Sequence, residues 1–177
     1  MQRSRGDELL LGEWACLGIL AVNSSHGFAI AARLSPKGDV GRVWAMSRAL
    51  TYRALDQLTH RGLIHALGEE PGIAGGNRTI LAPTRQGRAM LRSWLTTPTE
   101  HLRDLRSELL LKLVLTEIAG VDPQQLLAAQ RDQVAHISAV LDDQLDRSQP
   151  ERDVVTLWRS ESARGALRFL DRLIDDA

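Results

Sequence analysis

The sequence predicts a mainly helical chain in two parts, with a small β-hairpin inside the first part. Apolar residues recur at helical spacing through most of the 177 residues, and a glycine-rich stretch separates two short strand-like runs. Residues 1–95 carry 12 Arg and Lys against 7 Asp and Glu, whereas the remainder carries 10 against 15. We therefore expect only the first part to bind a polyanion.

The composition is that of a soluble globular protein, with 44% hydrophobic and 25% charged residues. Cys16 is the only cysteine, so there is no disulfide framework, and a reduced thiol fits a cytoplasmic protein. The apolar run at residues 15–22 is too short to span a membrane, and Glu13 argues against a signal peptide. No membrane association is expected.

The first part should begin with two helices. One starts at Asp7 or Gly12 and should be buried, because apolar residues surround it on most sides. Residues 23–25 end it, and a serine among them should cap a second helix over about residues 26–34. Residues 40–45, after a turn, are a short extended candidate.

The chain is organised around a third helix, which Ser47 should cap and Gly62 should end in a left-handed conformation. A strand at residues 63–67, a flexible loop at 68–77 and a returning strand at 78–82 should follow it. A winged helix-turn-helix has this order of helix, strand, loop and strand. The apolar side of the helix should consist of Leu50, Ala54, Leu55 and Leu58.

After a helix over residues 84–95, the break at 96–98 is the predicted boundary between two domains, residues 1–97 and 98–177. The second should hold helices at 102–118 and 122–147 and, beyond a break at 148–150, a last helix. In the first of the last two helices Leu127, Val134 and Leu141 are seven apart. The last helix has a heptad-like pattern at Val155, Trp158, Ser162, Ala166, Phe169 and Leu173. Such seams on two antiparallel helices need a partner surface, so we infer a homodimer.

Several short motifs occur in an order typical of one family. They are HGFAI at residues 26–30, YRAL at 52–55, GGNR at 75–78, TRQG at 84–87 and RSELLLKL at 106–113. With them the chain resembles the PadR-like transcriptional regulators, winged-helix repressors with a C-terminal helical dimerisation domain. The resemblance covers nearly the full length and implies a DNA-binding homodimer that can respond to small aromatic or hydrophobic molecules.

DNA contact is predicted at two groups of residues, the alternative being a solvated surface. The exposed start of the third helix should face base edges, with Arg48 bidentate to guanine, and Tyr52 resembles a family tyrosine that touches phosphate. This group is Ser47, Arg48, Thr51 and Tyr52. The second group, Arg42, Arg53, Asn77 and Arg78, should contact the backbone or minor groove, and for Arg53 the two alternatives are equally open.

Effector binding is predicted at Trp14, Trp94 and Trp158, since an aromatic ligand can stack on an indole, although tryptophans more often only pack. No metal or cofactor is expected, because the histidines are scattered and lack a supporting cysteine. They stand at His26, His60, His65, His101 and His136. The sequence lacks a nucleophile elbow and a phosphate-binding glycine loop before a helix, which argues against an enzyme.

The sequence thus predicts a homodimeric, DNA-binding transcriptional regulator in the bacterial cytoplasm, a repressor that binds a palindromic operator and is released by a small molecule. Two alternatives stay open. A regulator of another winged-helix family, such as a MarR-like one, would place its dimer contacts on both termini. A protein-interaction module would use the winged helix to bind protein.

Overall fold

The computed structural model describes residues 8–71, 76–147 and 153–176, which form two compact units. The first unit comprises Met1–Trp94 with Leu111–Val121, and the second comprises Leu95–Leu110 with Asp122–Ala177, as far as these are described. The chain therefore passes between the units three times, whereas the predicted organisation has one boundary, between residues 97 and 98. The predicted fold class is confirmed, since the chain is mainly helical with a small antiparallel sheet.

The first helix, α1 (Leu11–Val22), is buried along most of its length, as predicted. Its start is fixed by Glu13, whose carboxylate accepts a hydrogen bond from the backbone N–H of Leu10 at 2.9 Å. Gly18 allows close packing against Leu115 in the same unit, because a Cβ atom there would lie 2.5 Å from Cδ1 of Leu115. The apolar character of α1 thus reflects a place in the core of the first unit.

A short strand, β1 (Ser25–His26), leads directly into α2 (Gly27–Arg33). The helix is capped by His26, whose Nδ1 accepts a hydrogen bond from the N–H of Ala29 at 3.2 Å. The predicted serine cap is wrong because the backbone of Ser25 pairs with Leu81 in the sheet. Two residues of strand between polar neighbours give no periodicity from which β1 could have been predicted.

The segment after α2 is a tight series of turns, so the extended segment predicted at residues 40–45 is wrong. The N–H of Gly41 donates to the carbonyl of Arg33 at 2.9 Å, and a Cβ atom at Gly38 would lie 2.1 Å from that same oxygen. The side chain of Arg33 donates to Asp39, and this hydrogen bond lowers the pKa of the Asp39 carboxyl. Close backbone contacts at Gly38 and Gly41 and the Arg33–Asp39 ion pair therefore determine the path of this segment.

The third helix, α3 (Arg48–His60), begins and ends as predicted. The hydroxyl oxygen of Ser47 accepts a hydrogen bond from the N–H of Leu50 at 3.3 Å, and Gly62 has a φ of +66°. These signals lie within a few residues of each end and depend little on tertiary packing.

Strands β2 (Ile64–Pro71) and β3 (Asn77–Pro83) form an antiparallel hairpin, and β1 adds to the free edge of β3. The hairpin is longer than predicted, because Pro71 pairs with Asn77 across what was expected to be a loop from residue 68. Of that loop, residues 72–75 lie outside the described residues. Three helices followed by this hairpin are the arrangement of a winged helix, with the hairpin as the wing.

Thr84, which follows β3 and precedes α4 (Arg85–Thr96), connects the end of the wing to the end of α3 through hydrogen bonds. The Thr84 hydroxyl oxygen accepts a hydrogen bond from the N–H of Gly87 at 3.1 Å and donates to the carbonyl of Gly62 at 2.9 Å. The Thr84 hydroxyl thus caps the first turn of α4.

The continuous helix predicted over residues 102–118 is wrong. It is divided into a 3-10 turn (Leu102–Asp104), a π-helical turn (Leu105–Leu109) and α5 (Leu110–Ala119). Leucines four apart fit a π turn as well as an α turn, so periodicity could not separate the two.

In the second unit, α6 (Gln124–Arg147) and α7 (Val154–Asp175) run antiparallel, since Arg131 pairs with Asp171 at 2.7 Å and Asp142 with Arg164 at 2.9 Å. The predicted α6 seam is buried, but α7 buries other residues than those of its predicted seam. Those buried on α7 are Ser160, Ala163 and Leu170, whereas all six residues of the seam predicted for α7 are at least partly exposed. The break predicted at residues 148–150 lies outside the described residues.

Candidate nucleic-acid interface

One side of α3 is exposed and lies beside the wing in the first unit. The buried side consists of Thr51, Ala54, Leu55 and Leu58. The last three are as predicted, and Thr51 is buried in place of Leu50. Thr51 is fully buried and donates to the carbonyl of Ser47 at 3.0 Å, whereas Leu50 is 52% exposed. The predicted exposure of Thr51 is therefore wrong, because its methyl and satisfied hydroxyl pack inward.

Arg48 is the first residue on the exposed side of α3 and lies over the ring of Phe28, which was not among the predicted site residues. Its guanidinium carbon is 4.9 Å from the centroid of Phe28, whose side chain is 51% exposed. This cation–π contact holds the arginine at the flank of α3, next to α2. No spacing rule would have found the pair, because Phe28 and Arg48 come from different helices.

Tyr52 packs against the backbone of α2 at Gly27, where a Cβ atom would lie 2.7 Å from Cε1 of the ring. The ring forms one wall of an open cleft between α3 and the wing. Asp56 and Arg78 line the same cleft, so a carboxylate and a guanidinium both face it. A tyrosine hydroxyl in this position can donate to an anionic group lying along the cleft.

Arg78 of β3 places its NH1 atom 3.3 Å from Nε2 of His26. Because Nδ1 of His26 already accepts from Ala29, a neutral imidazole carries its hydrogen on Nε2. A donor on each side cannot form a hydrogen bond, so this contact does not engage the donors of Arg78 while the helix cap is kept. The guanidinium is available to an acceptor from outside.

Two of the other predicted contacts are engaged within the protein. The Nδ2 atom of Asn77 donates to Glu69 at 2.7 Å across the wing. Arg42 lies 3.5 Å from Glu117, and both side chains are largely exposed, so that ion pair is weak. Sequence periodicity cannot indicate Glu69, because its partner Asn77 lies on the neighbouring strand, diagonal to it in the hairpin.

Ser47 and Arg53 are exposed, and Arg53 forms no hydrogen bond or ion pair with any residue that the structure describes. The structure therefore brings six of the eight predicted side chains to the exposed side of α3 and the wing. They are Ser47, Arg48, Tyr52, Arg53, Asn77 and Arg78.

The predicted tryptophans have different surroundings. Trp14 and Trp94 stack on each other with their centroids 4.7 Å apart and their planes within 5°, and the ammonium of Lys112 lies 4.9 Å from the centre of Trp94. These two rings pack within the first unit. Trp158 belongs to the second unit, is 73% exposed and lines an open groove with Ile137.

Comparison with known proteins gives a likeness in structure alone, since no family model and no curated protein matches the chain. It is similar to Bacillus subtilis PadR in complex with operator DNA, with 18% identity, a TM-score of 0.47 and coverage of 92% of this chain and 97% of that one. For smu.1604c from Streptococcus mutans UA159 these values are 16%, 0.45, 94% and 99%. For the PadR-like transcriptional regulator BC1756 from Bacillus cereus they are 17%, 0.40, 93% and 96%. Because the sequence identities and the TM-scores are both low, function has to be inferred from the chain's own residues.

The described ranges contain neither a candidate metal site nor a candidate membrane-spanning helix. No three His, Cys, Asp or Glu side chains there come together in a way that could hold a metal ion. None of the helices in these ranges combines the length and the apolar character that crossing a membrane requires.

Proposed function

We propose that the protein is a transcriptional regulator that binds double-stranded DNA through α3 and the wing. The observation that carries this proposal is the exposed, cationic side of α3 beside Arg78. Arg48, Tyr52 and Arg53 extend from the helix there, and the part of the chain that holds them has the net positive charge.

The shape and chemistry of this surface suit a duplex. The major groove admits an α-helix, and phosphates on either side accept hydrogen bonds from arginine and tyrosine. In this arrangement α3 lies in the groove, and Tyr52 and Arg78 contact the phosphate backbone beside the helix. Asp56 also lines their cleft but lies nearer the side of α3 that is opposite its buried residues. Thr51 takes no part because it is buried.

A homodimer on a palindromic site is the second element of the proposal. Along α7, Val155 and Trp158 are exposed and Phe169 is partly exposed, although the same helix buries its other side against α6. A two-fold dimer formed on this stripe would give two winged helices for two half-sites, about 34–36 Å apart on the duplex. An isolated monomer would leave this apolar stripe in water.

We also propose that a small aromatic or hydrophobic molecule releases the protein from DNA, which makes it a repressor in the bacterial cytoplasm. The groove beside Trp158 supports such binding better than the Trp14–Trp94 pair, whose facing surfaces already cover each other. Release requires that the effector bind the DNA-free arrangement more tightly than the bound one.

The test is selection of random duplex DNA by the purified protein, in parallel with a Tyr52→Ala/Arg78→Ala variant. We expect the protein to enrich a palindrome and the variant to lose it. Binding should weaken steeply between about 50 and 200 mM salt. Arg168→Ala, which removes an exposed charge from the second unit, is the matched control and should keep the enrichment.

The apolar residues near the interface favour one other function, binding of a protein. Leu67, at the bulge in β2, is exposed together with Phe28 and Leu50, and the wing carries Glu69 and Glu70. If protein is the partner, Arg48→Ala and Arg78→Ala leave any DNA binding unchanged. A well-folded dimer that enriches no DNA sequence would support this alternative.

A further inference from the structure

The burial pattern of α3 identifies which side chains are central on its exposed side. Successive residues are about 100° apart around a helix, so the residues opposite the buried side can be read from the register. With Thr51, Ala54, Leu55 and Leu58 buried, the opposite positions are Ala49, Arg53, Asp56 and His60. Arg48 lies about a quarter turn from this central stripe.

The position of Arg48 over Phe28 argues against a role in the middle of the groove. Its guanidinium lies 4.9 Å from the ring centroid, on the side of α3 that adjoins α2. A cation held at this flank is well placed for a phosphate beside the groove and poorly placed for base edges at its floor. The guanine contact that the sequence suggested for Arg48 therefore needs another residue.

We propose that Arg53 and Asp56 determine the base specificity of the DNA site, while Arg48 contacts phosphate. This inference rests on the proposed function, since it concerns how the same surface binds DNA. Arg53 donates two hydrogen bonds to O6 and N7 of a guanine, and Asp56 accepts one from N4 of a cytosine. Ala49, one turn before Arg53, is small enough to let the helix approach and can contact a thymine methyl group.

Asp56 is the more informative of the two residues. A carboxylate facing a polyanion is repelled unless a base offers it a donor, and an ionised carboxylate only accepts hydrogen bonds. In the major groove, cytosine presents an amino group without an adjacent acceptor, whereas adenine presents its amino group beside the acceptor N7. Asp56 should thus favour cytosine and reject guanine, which shows only acceptors at that edge.

The spacing of the two residues is compatible with neighbouring base pairs. Arg53 and Asp56 are three residues apart, a rise of about 4.5 Å along the helix, and stacked bases are about 3.4 Å apart. The two could instead form an ion pair with each other on a solvated helix. In the structure neither Arg53 nor Asp56 forms a hydrogen bond or ion pair with any described residue, so the two do not pair with each other.

The experiment is duplex selection with the full-length protein and with Arg53→Ala, Asp56→Asn and Arg48→Ala, each checked for folding by circular dichroism. Arg53→Ala should lose the preference for one guanine per half-site, with affinity for the selected site reduced about 5- to 150-fold. Asp56→Asn should change the preferred base from cytosine to adenine, because an asparagine pairs with N6 and N7 of adenine. Arg48→Ala should weaken binding to all sequences alike and lower the salt dependence by about one phosphate contact.

The outcomes separate this inference from the proposed function. If the unaltered protein enriches no sequence, the proposed function fails. If it enriches a palindrome and Arg53→Ala and Asp56→Asn enrich the same bases, the specificity assignment is overturned while the regulator stands. A loss of one base preference in Arg48→Ala would likewise overturn the division of roles.

Discussion

Tyr52 lies against the backbone of Gly27, so close that a Cβ atom on residue 27 would be 2.7 Å from Cε1 of the tyrosine ring. The two residues belong to different helices and meet at the cleft between α3 and the wing. Glycine at position 27 thus determines where the tyrosine hydroxyl stands relative to a phosphate in that cleft.

Gly27→Ala should therefore impair DNA binding more than folding. The partly exposed ring can rotate away from the added methyl group, so the free energy of unfolding should change by less than about 1 kcal/mol. The displaced hydroxyl loses its phosphate contact, which should cost about 1 kcal/mol, or roughly fivefold in affinity. Both quantities can be measured by urea unfolding and by titration of the selected operator.

A double-mutant comparison shows whether the effect passes through the ring. In a Tyr52→Ala background, Gly27→Ala should have no further effect on DNA affinity, because the contact is already lost. Two additive losses would mean that Gly27 acts on DNA binding by another route.

The start of α3 shows what the sequence can and cannot predict. Ser47 as the cap and Gly62 as the end follow from local backbone chemistry, and both predictions are confirmed. The predicted exposure of Thr51 and burial of Leu50 are both wrong, because the hydroxyl of Thr51 donates to the carbonyl of Ser47 and its methyl group packs in the core. Hydrophobicity alone cannot show that a satisfied threonine packs better than a leucine at one end of a helix.

Contacts between side chains of different helices or strands could not be predicted from the sequence. The ring of Phe28 under Arg48 and the carboxylate of Glu69 beside Asn77 depend on the packing of α2 against α3 and on strand pairing. Periodicity gives the face of each helix and leaves open which faces meet.

Substitution by alanine should lower the free energy of unfolding at Gly87 and leave it nearly unchanged at Gly68. A Cβ atom on Gly87 of α4 would lie 2.2 Å from the carbonyl oxygen of Leu63, a backbone atom held by the N–H of Thr84 at 2.9 Å. We expect Gly87→Ala to lower the free energy of unfolding by about 1–3 kcal/mol, since the backbone has to shift.

Gly68→Ala is the matched control, because a Cβ atom there would have no neighbour within 4 Å. Its effect on the free energy of unfolding should stay within about 0.5 kcal/mol. Urea unfolding of both variants measures the difference, and equal losses would contradict the close approach of α4 to Leu63.

Substitution of Trp14 should lower the stability of the fold, whereas substitution of Trp158 should weaken the proposed dimer. Trp14 is buried and stacked on Trp94, so Trp14→Ala should lower the free energy of unfolding by about 3–5 kcal/mol. Trp158 is 73% exposed, and Trp158→Ala should leave secondary structure unchanged while weakening the proposed dimer by about 2 kcal/mol, or roughly 30-fold.

Sedimentation equilibrium over a range of concentrations measures the second effect. Val140→Ala, which shortens another exposed apolar residue, on α6 and outside the α7 stripe, is a suitable control and should leave dissociation unchanged. A dissociation constant that Trp158→Ala does not alter would remove the α7 stripe from the proposed interface.

Cys16 should make the stability of the first unit fall at high pH. Burial, and secondarily the carboxylate of Glu13, raise the pKa of the Cys16 thiol from 9.0 to about 12. Below the pKa of the unfolded chain the thiol is protonated in both states and contributes no pH dependence. Above it the unfolded chain loses a proton that the folded protein keeps, so the stability falls by about 1.4 kcal/mol per pH unit until the folded thiol ionises.

Comparison with Cys16→Ala isolates this contribution from the other groups that titrate at alkaline pH. The difference in the free energy of unfolding between the two proteins should be constant from about pH 6 to 8 and should fall by about 2 kcal/mol between pH 8 and 10.5. The folded protein should also resist thiol alkylation over that range, because the thiolate is the nucleophile. A flat difference with rapid alkylation near pH 9 would mean that Cys16 is accessible to solvent, and α1 could then not occupy the core of the first unit.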